Sequence, residues 1–495
     1  DAFEYFAKLS NYGSKKNSIL IQNNETSFGS AAPCLMLAGK DDDFEITALN
    51  NTGKRFLSFI KKDFKFCDKA IYKKDKITGT LACTKASVSE QQKLKQKSHM
   101  DIIRAVAFKF QPTTKPFSPY CGLFGIVSSD FINQIENLPN NDEDVINDPD
   151  YTLYFLDNMF LINHKIKKTY FIANALVTDN NKEKTHQECS KTINNYEKLI
   201  SSKLPKAKKY KKKEFKLSHD ADKDEFIGAM RDLRRHILDG DILYAAPSRL
   251  TTTNYNAEPL DIYAQLKDAA NSLYINDGSG ITISSGAKAH LSIKGEDEKT
   301  VELRVSTTAK PRGIVKEGIE QDLDNKYEAL LRVDENEIAY NIMLVDDIRN
   351  DVARVSKTGT RHVDKLFAVD KQNNFQNITL SVRGILNKDL DALHAFTATM
   401  NPAVVSGITK SKSMQLLRKT EKTKRCFNSG SIVHIAPEKD LYGMAIEPLR
   451  IKKDKAFIRA TARVFHNSND EEEFNAANEK ALKLSNAIKS AGGLK

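Results

Sequence analysis

The chain has 495 residues, of which 40% are hydrophobic, and its 76 Lys and Arg against 65 Asp and Glu give a formal net charge of +11. This length allows roughly two to four domains with a large core. The lysines are spread along the chain without an RNA-binding, helix-turn-helix or zinc-finger pattern, so the charge indicates a solvated surface and no nucleic-acid partner. No signal-like start and no apolar run of about 18 residues is present, and we therefore expect a cytoplasmic protein without a membrane partner.

The six cysteines lie far apart and include no CxxC pair. Metal sites and disulfide frameworks both rest on recognisable cysteine spacings, and this chain has neither spacing. The pattern argues against both kinds of site and indicates buried thiols in a reducing compartment.

The N-terminal part mixes short strands with helices. An amphipathic helix is predicted at the start, short apolar strands at 18–21 and 34–37, and a polar helix at 182–200. We therefore predict an N-terminal domain over residues 1–202.

Residues 203–216 form the strongest composition break, with eight lysines and one proline in 14 residues. Only Tyr210 and Phe215 interleave the charges, which favours a solvated linker over a nucleic-acid or membrane patch. We predict a linker at 203–219, with exposed lysines, that joins the N-terminal domain to a C-terminal domain at 220–495.

Residues 335–355 carry the clearest helix signal. Asp334, followed three residues later by Glu337, is a capping-box-like start. Apolar residues then recur at three- and four-residue intervals, at Ile338, Ile342, Val345, Ile348, Val352 and Val355. This pattern predicts a helix whose apolar face, with Ile342 and Val345, lies in the core.

The same helix carries an enzyme motif. Residues 343–346, residues 349–351 and Arg354 match the pattern MLVD-x-x-RND-x-x-R. The chain thereby resembles chorismate-utilising enzymes, most closely the large subunit (component I) of anthranilate synthase, over nearly its whole length. The resemblance implies an α+β fold in which large antiparallel β-sheets pack as a sandwich with surrounding helices. The residues agree, because strands and helices mix without a regular βαβ alternation.

The resemblance also implies an activity. The family converts chorismate and ammonia to anthranilate and pyruvate in tryptophan biosynthesis. It uses Mg²⁺ held by two glutamates and a catalytic histidine, and it pairs with a glutamine amidotransferase. A substrate with two carboxylates needs cations and N–H donors around it.

The positions that carry this chemistry in the family are altered here. Tyr340 and Ala476 stand at the two Mg²⁺-ligand positions, and Asn377 stands at the position of the catalytic histidine. Mg²⁺ requires anionic oxygen ligands, and an amide exchanges no proton at neutral pH. We therefore expect no metal and no other cofactor. Glu337 matches an active-site glutamate of the family and fits the helix cap equally well.

Three candidate substrate-binding positions differ from the family. Lys288 replaces a carboxylate, and Ala309 lies in the pair of residues that approaches the substrate. Val404 replaces a threonine that contacts the substrate. The polar contacts that the resemblance would imply at these three positions are therefore changed.

Other candidate positions keep the family residue or enlarge it. Ser406, Gly407 and Lys410 are retained, although Lys410 also fits a solvated or structural role. Arg463 replaces a glycine of a strand whose backbone N–H groups approach a carboxylate. A side chain as long as that of Arg463 would fill the space which glycine leaves open.

Three functions stay open. We favour an anthranilate synthase component I-like protein with a disabled or strongly altered active site, because the losses fall on the catalytic positions. A metal-independent enzyme acting on another anionic substrate would use Lys288, Arg463 and Lys410 as cationic contacts. A non-catalytic binding or regulatory module would keep the pairing with a glutamine amidotransferase. A small anionic ligand is the expected partner in the first two cases.

Overall fold

The structure is a computed structural model that describes residues 1–83, 89–112, 120–178, 181–208, 210, 215–255, 257–267, 271–315, 318–371 and 375–492, without the side chains at 91, 308 and 309. Its helices are α1 (Ala2–Leu9), α2 (Asn51–Ile60), α3 (Glu90–Lys93), α4 (His99–Ala107), α5 (Lys182–Ser201), α6 (Lys223–Leu238), α7 (Pro259–Ala264), α8 (Gln321–Val333), α9 (Glu335–Val355), α10 (Ala392–Thr399), α11 (Ala403–Ser406), α12 (Lys410–Thr420) and α13 (Asp470–Ala491).

The strands of the N-terminal part are β1 (Ser18–Gln22), β2 (Thr26–Ser30), β3 (Leu35–Lys40), β4 (Asp43–Ala48), β5 (Lys69–Tyr72), β6 (Lys76–Thr80), β7 (Leu123–Val127), β8 (Tyr151–Phe155), β9 (Asn158–Asn163) and β10 (Lys168–Ala173). The later strands are β11 (Leu217–His219), β12 (Ser248–Asn254), β13 (Ser272–Asn276), β14 (Ile281–Ser284), β15 (Lys288–Lys294), β16 (Thr300–Pro311), β17 (Ile314–Val315), β18 (Gly318–Ile319), β19 (His362–Lys371), β20 (Phe375–Ile385), β21 (Ser431–Ile435), β22 (Leu441–Ala445), β23 (Leu449–Lys452) and β24 (Lys455–Thr461).

Two large antiparallel sheets organise these strands. The ten-stranded sheet has the order β10-β9-β2-β1-β13-β14-β23-β24-β12-β11, and the twelve-stranded sheet has the order β19-β20-β16-β15-β22-β21-β7-β8-β3-β4-β6-β5. Each sheet joins a block of strands from before the lysine-rich segment to a block from after it, through the pairs β1–β13 and β7–β21. Both predicted domains therefore contribute strands to the same two sheets. The predicted boundaries divide the sequence into consecutive parts, and each sheet contains strands from both parts.

The sheets pack face to face around an apolar layer. Ile19 and Leu273 of the ten-stranded sheet lie in one buried cluster with Tyr154 and Ile432 of the twelve-stranded sheet. Helices α1, α6, α7 and α13 cover the outer face of the first sheet, and α2, α4, α9 and α10 cover that of the second. Each sheet thereby has one face packed against the other sheet and one face covered by helices. The burial of apolar side chains on these faces stabilises the fold, because it removes apolar surface from water. The predicted α+β sandwich with surrounding helices is confirmed.

Several predicted elements agree with the structure. The strands predicted at 18–21 and 34–37 correspond to β1 and β3, and the helix predicted at 182–200 corresponds to α5. The lysines at 203, 206, 208 and 216 are exposed, as predicted. None of the six cysteines, all of which lie in the described residues, forms a disulfide; Cys34, Cys121 and Cys426 are buried and the other three are half-buried.

Helix α9 has the predicted bounds but a different buried face. Asp334 caps it, because its carboxylate accepts hydrogen bonds from the backbone N–H groups of Asn336 and Glu337. Leu344 is fully buried and Val345 is 7% exposed, whereas Ile342 is 51% exposed. The prediction for Ile342 is therefore wrong.

The physical reason lies in the polar residues of α9. Glu337, Asn341 and Asp351 occupy the buried face beside Leu344. Ile342 lies about 200° around the helix from Leu344, because each residue turns the helix by about 100°. A prediction based only on the apolar positions therefore places the buried face of α9 away from these buried polar residues.

Candidate active site

A cavity of about 560 Å³ lies where the two sheets meet α9 and α13. Strand β24 of the ten-stranded sheet and strands β15, β16 and β22 of the twelve-stranded sheet contribute to its walls. Its volume falls in the range typical of small-molecule sites. The site therefore depends on both sheets and on the two helices together.

The lining of the cavity is strongly basic. Six cations line it among the described residues, namely Lys288, Arg304, Arg459, Arg463, Lys480 and Lys483. Glu447 and Glu473 are the acidic residues in the same lining. This excess of positive charge attracts small anions. The attraction is strengthened because the protein walls of the cavity reduce the screening of charge by water.

Lys288 begins β15 and directs its ammonium group along the cavity wall. Its Nζ donates a hydrogen bond to the backbone oxygen of Ser306, 3.1 Å away. Lys288 is exposed, because its side chain faces the open cavity, but the walls of that cavity place many protein atoms around its ammonium group. Burial lowers the pKa of Lys288, and the neighbouring Lys480 and Arg463 lower it further against the attraction of Glu447. A bound anion would therefore stabilise the charged form of Lys288.

Arg463 follows β24 and is paired on two sides. Its Nη1 lies 2.9 Å from Oε1 of Glu337 on α9, and its Nη2 lies 3.6 Å from Oε1 of Glu473 on α13. The backbone N–H of Arg463 also donates to Oε2 of Glu473, at 3.1 Å. Burial opposes the charge, but the two carboxylates outweigh it and raise the pKa of Arg463.

An aromatic cluster surrounds this ion pair. The rings of Tyr244, Tyr340 and Phe465 pack with centroid separations of 5.0–5.1 Å. The guanidinium of Arg463 lies 5.7 Å from the ring of Tyr340 and 5.9 Å from that of Phe465, within the range of cation–π contacts. Burial raises the pKa of Tyr340 to about 12, so its hydroxyl stays neutral at physiological pH.

Strand β24 also contributes polar atoms to the cavity at two positions, Arg459 and Thr461, that were not predicted as site residues. The side chain of Arg459 is 2% exposed, and its Nη2 lies 3.7 Å from Oδ2 of Asp220. Its Nε and the hydroxyl of Thr461 have no hydrogen-bond partner among the described residues, and both residues line the cavity. Buried donors left without a partner cost free energy, and a polar ligand would satisfy them.

Asn377, at the predicted catalytic position, lies on β20 and is 7% exposed. It pairs in register with Ala309 of β16 and Asp370 of β19. It does not belong to the cavity lining, as far as the described residues define it. The backbone of Ala309 is part of β16, but its side chain lies outside the described residues.

The segment around α11 reaches the cavity through only one of its predicted positions. Val404 lines the cavity. Ser406 instead donates from its Oγ to the backbone oxygen of Asn401, at 2.9 Å. At Gly407, φ is +104° and an added Cβ would lie 2.5 Å from the backbone oxygen of Tyr244, so that glycine is required by close packing.

Lys410 has an internal role in this structure. Its Nζ lies 2.5 Å from Oδ2 of Asp351, which is buried on α9. Arg354, one turn further along α9, also contacts Asp351, at 2.7 Å. Lys410, Asp351 of the RND motif and Arg354 thus form one ion-pair group that fixes α12 against α9.

Two further residues of the site, Glu473 and Lys480, were not predicted from the sequence. Glu473 precedes Ala476 by three residues, just as Glu337 precedes Tyr340 by three. Residues three positions apart share one face of a helix. This repeated spacing was therefore a sequence signal that Glu473, like Glu337, faces the site. Lys480, one helical turn beyond Ala476, lines the cavity as well.

The residues at the family's metal position do not fit Mg²⁺. Tyr340 offers a neutral hydroxyl and Ala476 offers no ligand, and a guanidinium lies between the nearest carboxylates. Within the part of the chain that the structure describes, no group of three or more His, Cys, Asp or Glu side chains could hold a metal ion. Mg²⁺ requires close anionic oxygens in octahedral geometry, which this arrangement does not supply.

Fold and cavity together define a member of a known enzyme class. Residues 32–486 match the chorismate binding enzyme family, and the chain belongs to that family. More particularly, it is similar to anthranilate synthase component 1. It is 30% identical over 468 residues to that protein of Buchnera aphidicola subsp. Schizaphis graminum, which covers 92% of this chain and 88% of the relative. It is 28% identical over 447 residues to that of Vibrio cholerae serotype O1, with 89% and 84% covered.

Solved structures show the same fold. Anthranilate synthase component I from Streptococcus pneumoniae TIGR4 superposes with a TM-score of 0.72 at 20% identity, over 93% of this chain and 92% of that one. The menaquinone-specific isochorismate synthase MenF of Escherichia coli superposes with a TM-score of 0.62 at 12% identity, over 99% and 91%. The described helices include none that is long and apolar enough to cross a membrane.

Proposed function

We propose that this protein is an anthranilate synthase component I-like protein whose cavity binds a small dicarboxylate of the chorismate type without a divalent metal, and whose ammonia-dependent synthase reaction is disabled. The excess of basic side chains in the cavity carries the proposal. The family membership supports the ligand class, and the aromatic and cationic filling of the metal position supports the loss of the reaction.

Lys288 and Lys480 are the residues that we assign to one ligand carboxylate. They lie close enough for the charge of Lys480 to lower the pKa of Lys288, so an anion placed between them relieves their repulsion. Charge-assisted hydrogen bonds of this kind are about twice as strong as neutral ones. The Nε of Arg459 and the hydroxyl of Thr461 provide further donors for the second acidic group.

Two titratable side chains of the described cavity lining, His290 and Tyr340, are unsuited to the proton transfer that the synthase reaction requires. Burial lowers the pKa of His290 to about 4, so this imidazole is neutral at physiological pH, and its Nε2 is 2.7 Å from the backbone oxygen of Thr399. Tyr340 keeps its proton up to about pH 12, far above the pKa that suits a general acid at neutral pH. Binding without synthase turnover follows.

Calorimetric titration of the full chain with chorismate tests the proposal. We expect binding that changes by less than about twofold between Mg²⁺ and chelator, because no metal takes part. Lys480→Met should weaken it about tenfold, the equivalent of one lost charge-assisted contact, whereas Lys203→Met on the surface should leave it unchanged. Robust Mg²⁺-dependent formation of fluorescent anthranilate from chorismate and ammonia would contradict the proposal.

A second candidate is metal-independent chemistry on another anionic substrate. Its support is the lowered pKa of Lys288, which follows from burial and raises the fraction of neutral amine available as a base or nucleophile. Consumption of a dicarboxylate substrate in the presence of chelator, abolished by Lys288→Met but retained in Lys203→Met, would establish it. No consumption across a panel of such substrates would exclude it.

We also propose that the protein pairs with a glutamine amidotransferase in a cytoplasmic biosynthetic setting. The name component 1 of its relatives supports a second component. Co-elution of the purified chain with such a subunit in size-exclusion chromatography tests the pairing, and two separate peaks at micromolar concentrations would count against it.

A further inference from the structure

Glu337 and Glu473 stand in equivalent relations to the two altered metal-ligand positions. Each precedes its altered position, Tyr340 or Ala476, by three residues on the same helix. Side chains at this spacing lie on one face, so both carboxylates stay next to the place of the metal. Both of them contact the same guanidinium, that of Arg463.

Arg463 is contacted from both helices and by two aromatic rings, and 33% of its side chain remains exposed. Glu337 contacts Nη1 from α9, Glu473 contacts Nη2 and the backbone N–H from α13, and Tyr340 and Phe465 lie within cation–π range. The carboxylates outweigh the effect of burial and raise the pKa of Arg463, so the charge is permanent. A guanidinium suits this environment, since it is planar, weakly hydrated and matches carboxylate geometry.

We propose that Arg463 is a resident cation that takes the place of the divalent metal ion in this cavity, joins α9 to α13, and excludes divalent cations from Glu337 and Glu473. The inference deepens the proposed function and rests on it, because it explains how Glu337 and Glu473 are held without a metal while the ligand anion is left to the other cations of the cavity. It concerns a site on this chain and does not require that the ligand be chorismate.

The replacement changes the charge of the site in a defined way. A divalent ion between two carboxylates leaves no net charge, whereas a single guanidinium between them leaves one negative charge. The group formed by Arg463, Glu337 and Glu473 therefore offers no surplus positive charge to a ligand. The cations that remain for an anion are those on the other walls, Lys288 and Lys480 foremost.

Binding of Mn²⁺ to the full chain tests the inference, with free Mn²⁺ followed by electron paramagnetic resonance. We expect no saturable binding to the wild type at this site. Arg463→Met removes the charge at similar length, and Arg463→Gly removes charge and volume; both should bind Mn²⁺ at least tenfold more tightly than the wild type. Arg463→Lys retains a cation and should gain no binding.

The carboxylates provide the matched control. In the Arg463→Gly background, Glu337→Gln or Glu473→Gln should abolish the gained Mn²⁺ binding and the rise in melting temperature that Mn²⁺ produces. Millimolar guanidinium should raise the melting temperature of Arg463→Gly more than that of the wild type, because it can occupy the emptied place.

Three outcomes would overturn the inference. The first is Mn²⁺ binding to the wild type that Glu337→Gln abolishes. The second is that folded Arg463→Met and Arg463→Gly gain no binding. The third is that both stay unfolded with Mn²⁺ and with guanidinium, since the arginine would then serve packing and not act as an exchangeable cation. Titration of the wild type with chorismate in chelator is independent of all three, so failure of the proposed function is distinguishable.

Discussion

Two cations of one cavity have opposite electrostatic surroundings, and this difference assigns them different roles. Arg463 lies between two carboxylates, which raise its pKa although burial opposes its charge. Burial lowers the pKa of Lys288, and the nearby Lys480 and Arg463 also lower it, against the attraction of Glu447. A carboxylate ligand gains more from Lys288 than from Arg463, because Arg463 already contacts two carboxylates.

His290 provides a pH test at the residue scale. Burial lowers its pKa to about 4, whereas a histidine in the unfolded chain titrates near pH 6.5. The unfolded state therefore binds this proton first as the pH falls, and the stability due to neutral His290 is present above pH 6.5 and lost toward pH 4. The loss amounts to at most about 3 kcal/mol.

Urea unfolding at pH 7 and pH 4.5 measures this effect against His290→Gln, which cannot titrate. We expect the wild type to lose more free energy of unfolding than the variant between the two pH values. Other titrating groups are common to both proteins and cancel in the comparison. Equal losses would show that His290 does not contribute.

Ile342 and Leu344 give a matched pair for the corrected face of α9. Ile342 is 51% exposed and Leu344 is fully buried. Ile342→Ala should change the free energy of unfolding by less than about 0.5 kcal/mol, whereas Leu344→Ala should cost about 2–5 kcal/mol. Chemical denaturation of both variants measures these free energies of unfolding. Equal losses of stability would mean that the buried face of α9 differs from the one in the structure.

At the scale of elements, α9 owes its place to polar contacts as much as to apolar ones. Its buried Asn341 accepts a hydrogen bond from the hydroxyl of Thr307 on β16, at 2.8 Å. Its Asp351 binds Lys410 of α12, and its Glu337 binds Arg463 beyond β24. One helix thereby connects the twelve-stranded sheet, α12 and the wall of the cavity.

These contacts mark the boundary of what the sequence could predict. Local signals gave the bounds of α9, because the cap and the apolar repeat lie within it. The partner of Glu337 lies 126 residues away, and no local pattern encodes such a pair. The family motifs located Lys288, Val404 and Arg463, but the hydrogen bonds of Lys410 and Ser406 within the protein depend on how distant helices pack.

The lysine-rich segment supplies a prediction for a connecting element. Four of its eight lysines, at 203, 206, 208 and 216, are exposed, and the ring centroid of Tyr210 lies 5.8 Å from that of Tyr255. Replacing all four lysines by glutamine should shift the melting temperature by less than about 2 °C, because exposed charges contribute little. Replacing Tyr210 by alanine in the same assay is the comparison, and a drop of many degrees from the lysine changes would show that the segment is packed.

At the scale of the whole molecule, the two halves of the chain complete one another's sheets. In the ten-stranded sheet β1 pairs with β13, and in the twelve-stranded sheet β7 pairs with β21. Each junction joins a strand from before the lysine-rich segment to one from after it. The cavity is lined by residues after position 260, yet the sheets that position them continue into the first half.

Expression of residues 220–495 alone tests whether the predicted C-terminal domain is a folding unit. Without the first half, the edges of β13 and β21 lose their partners, and the apolar layer between the sheets loses Ile19, Phe124 and Tyr154. Exposed strand edges and an opened core favour aggregation over folding. We therefore expect the fragment to lack a cooperative thermal transition, whereas the full chain shows one, as followed by circular dichroism.

Mixing the fragment with separately expressed residues 1–219 should restore the transition, because the two pieces together supply every sheet pairing. A fragment that unfolds cooperatively by itself would show that the shared sheets add stability but do not define the folding unit.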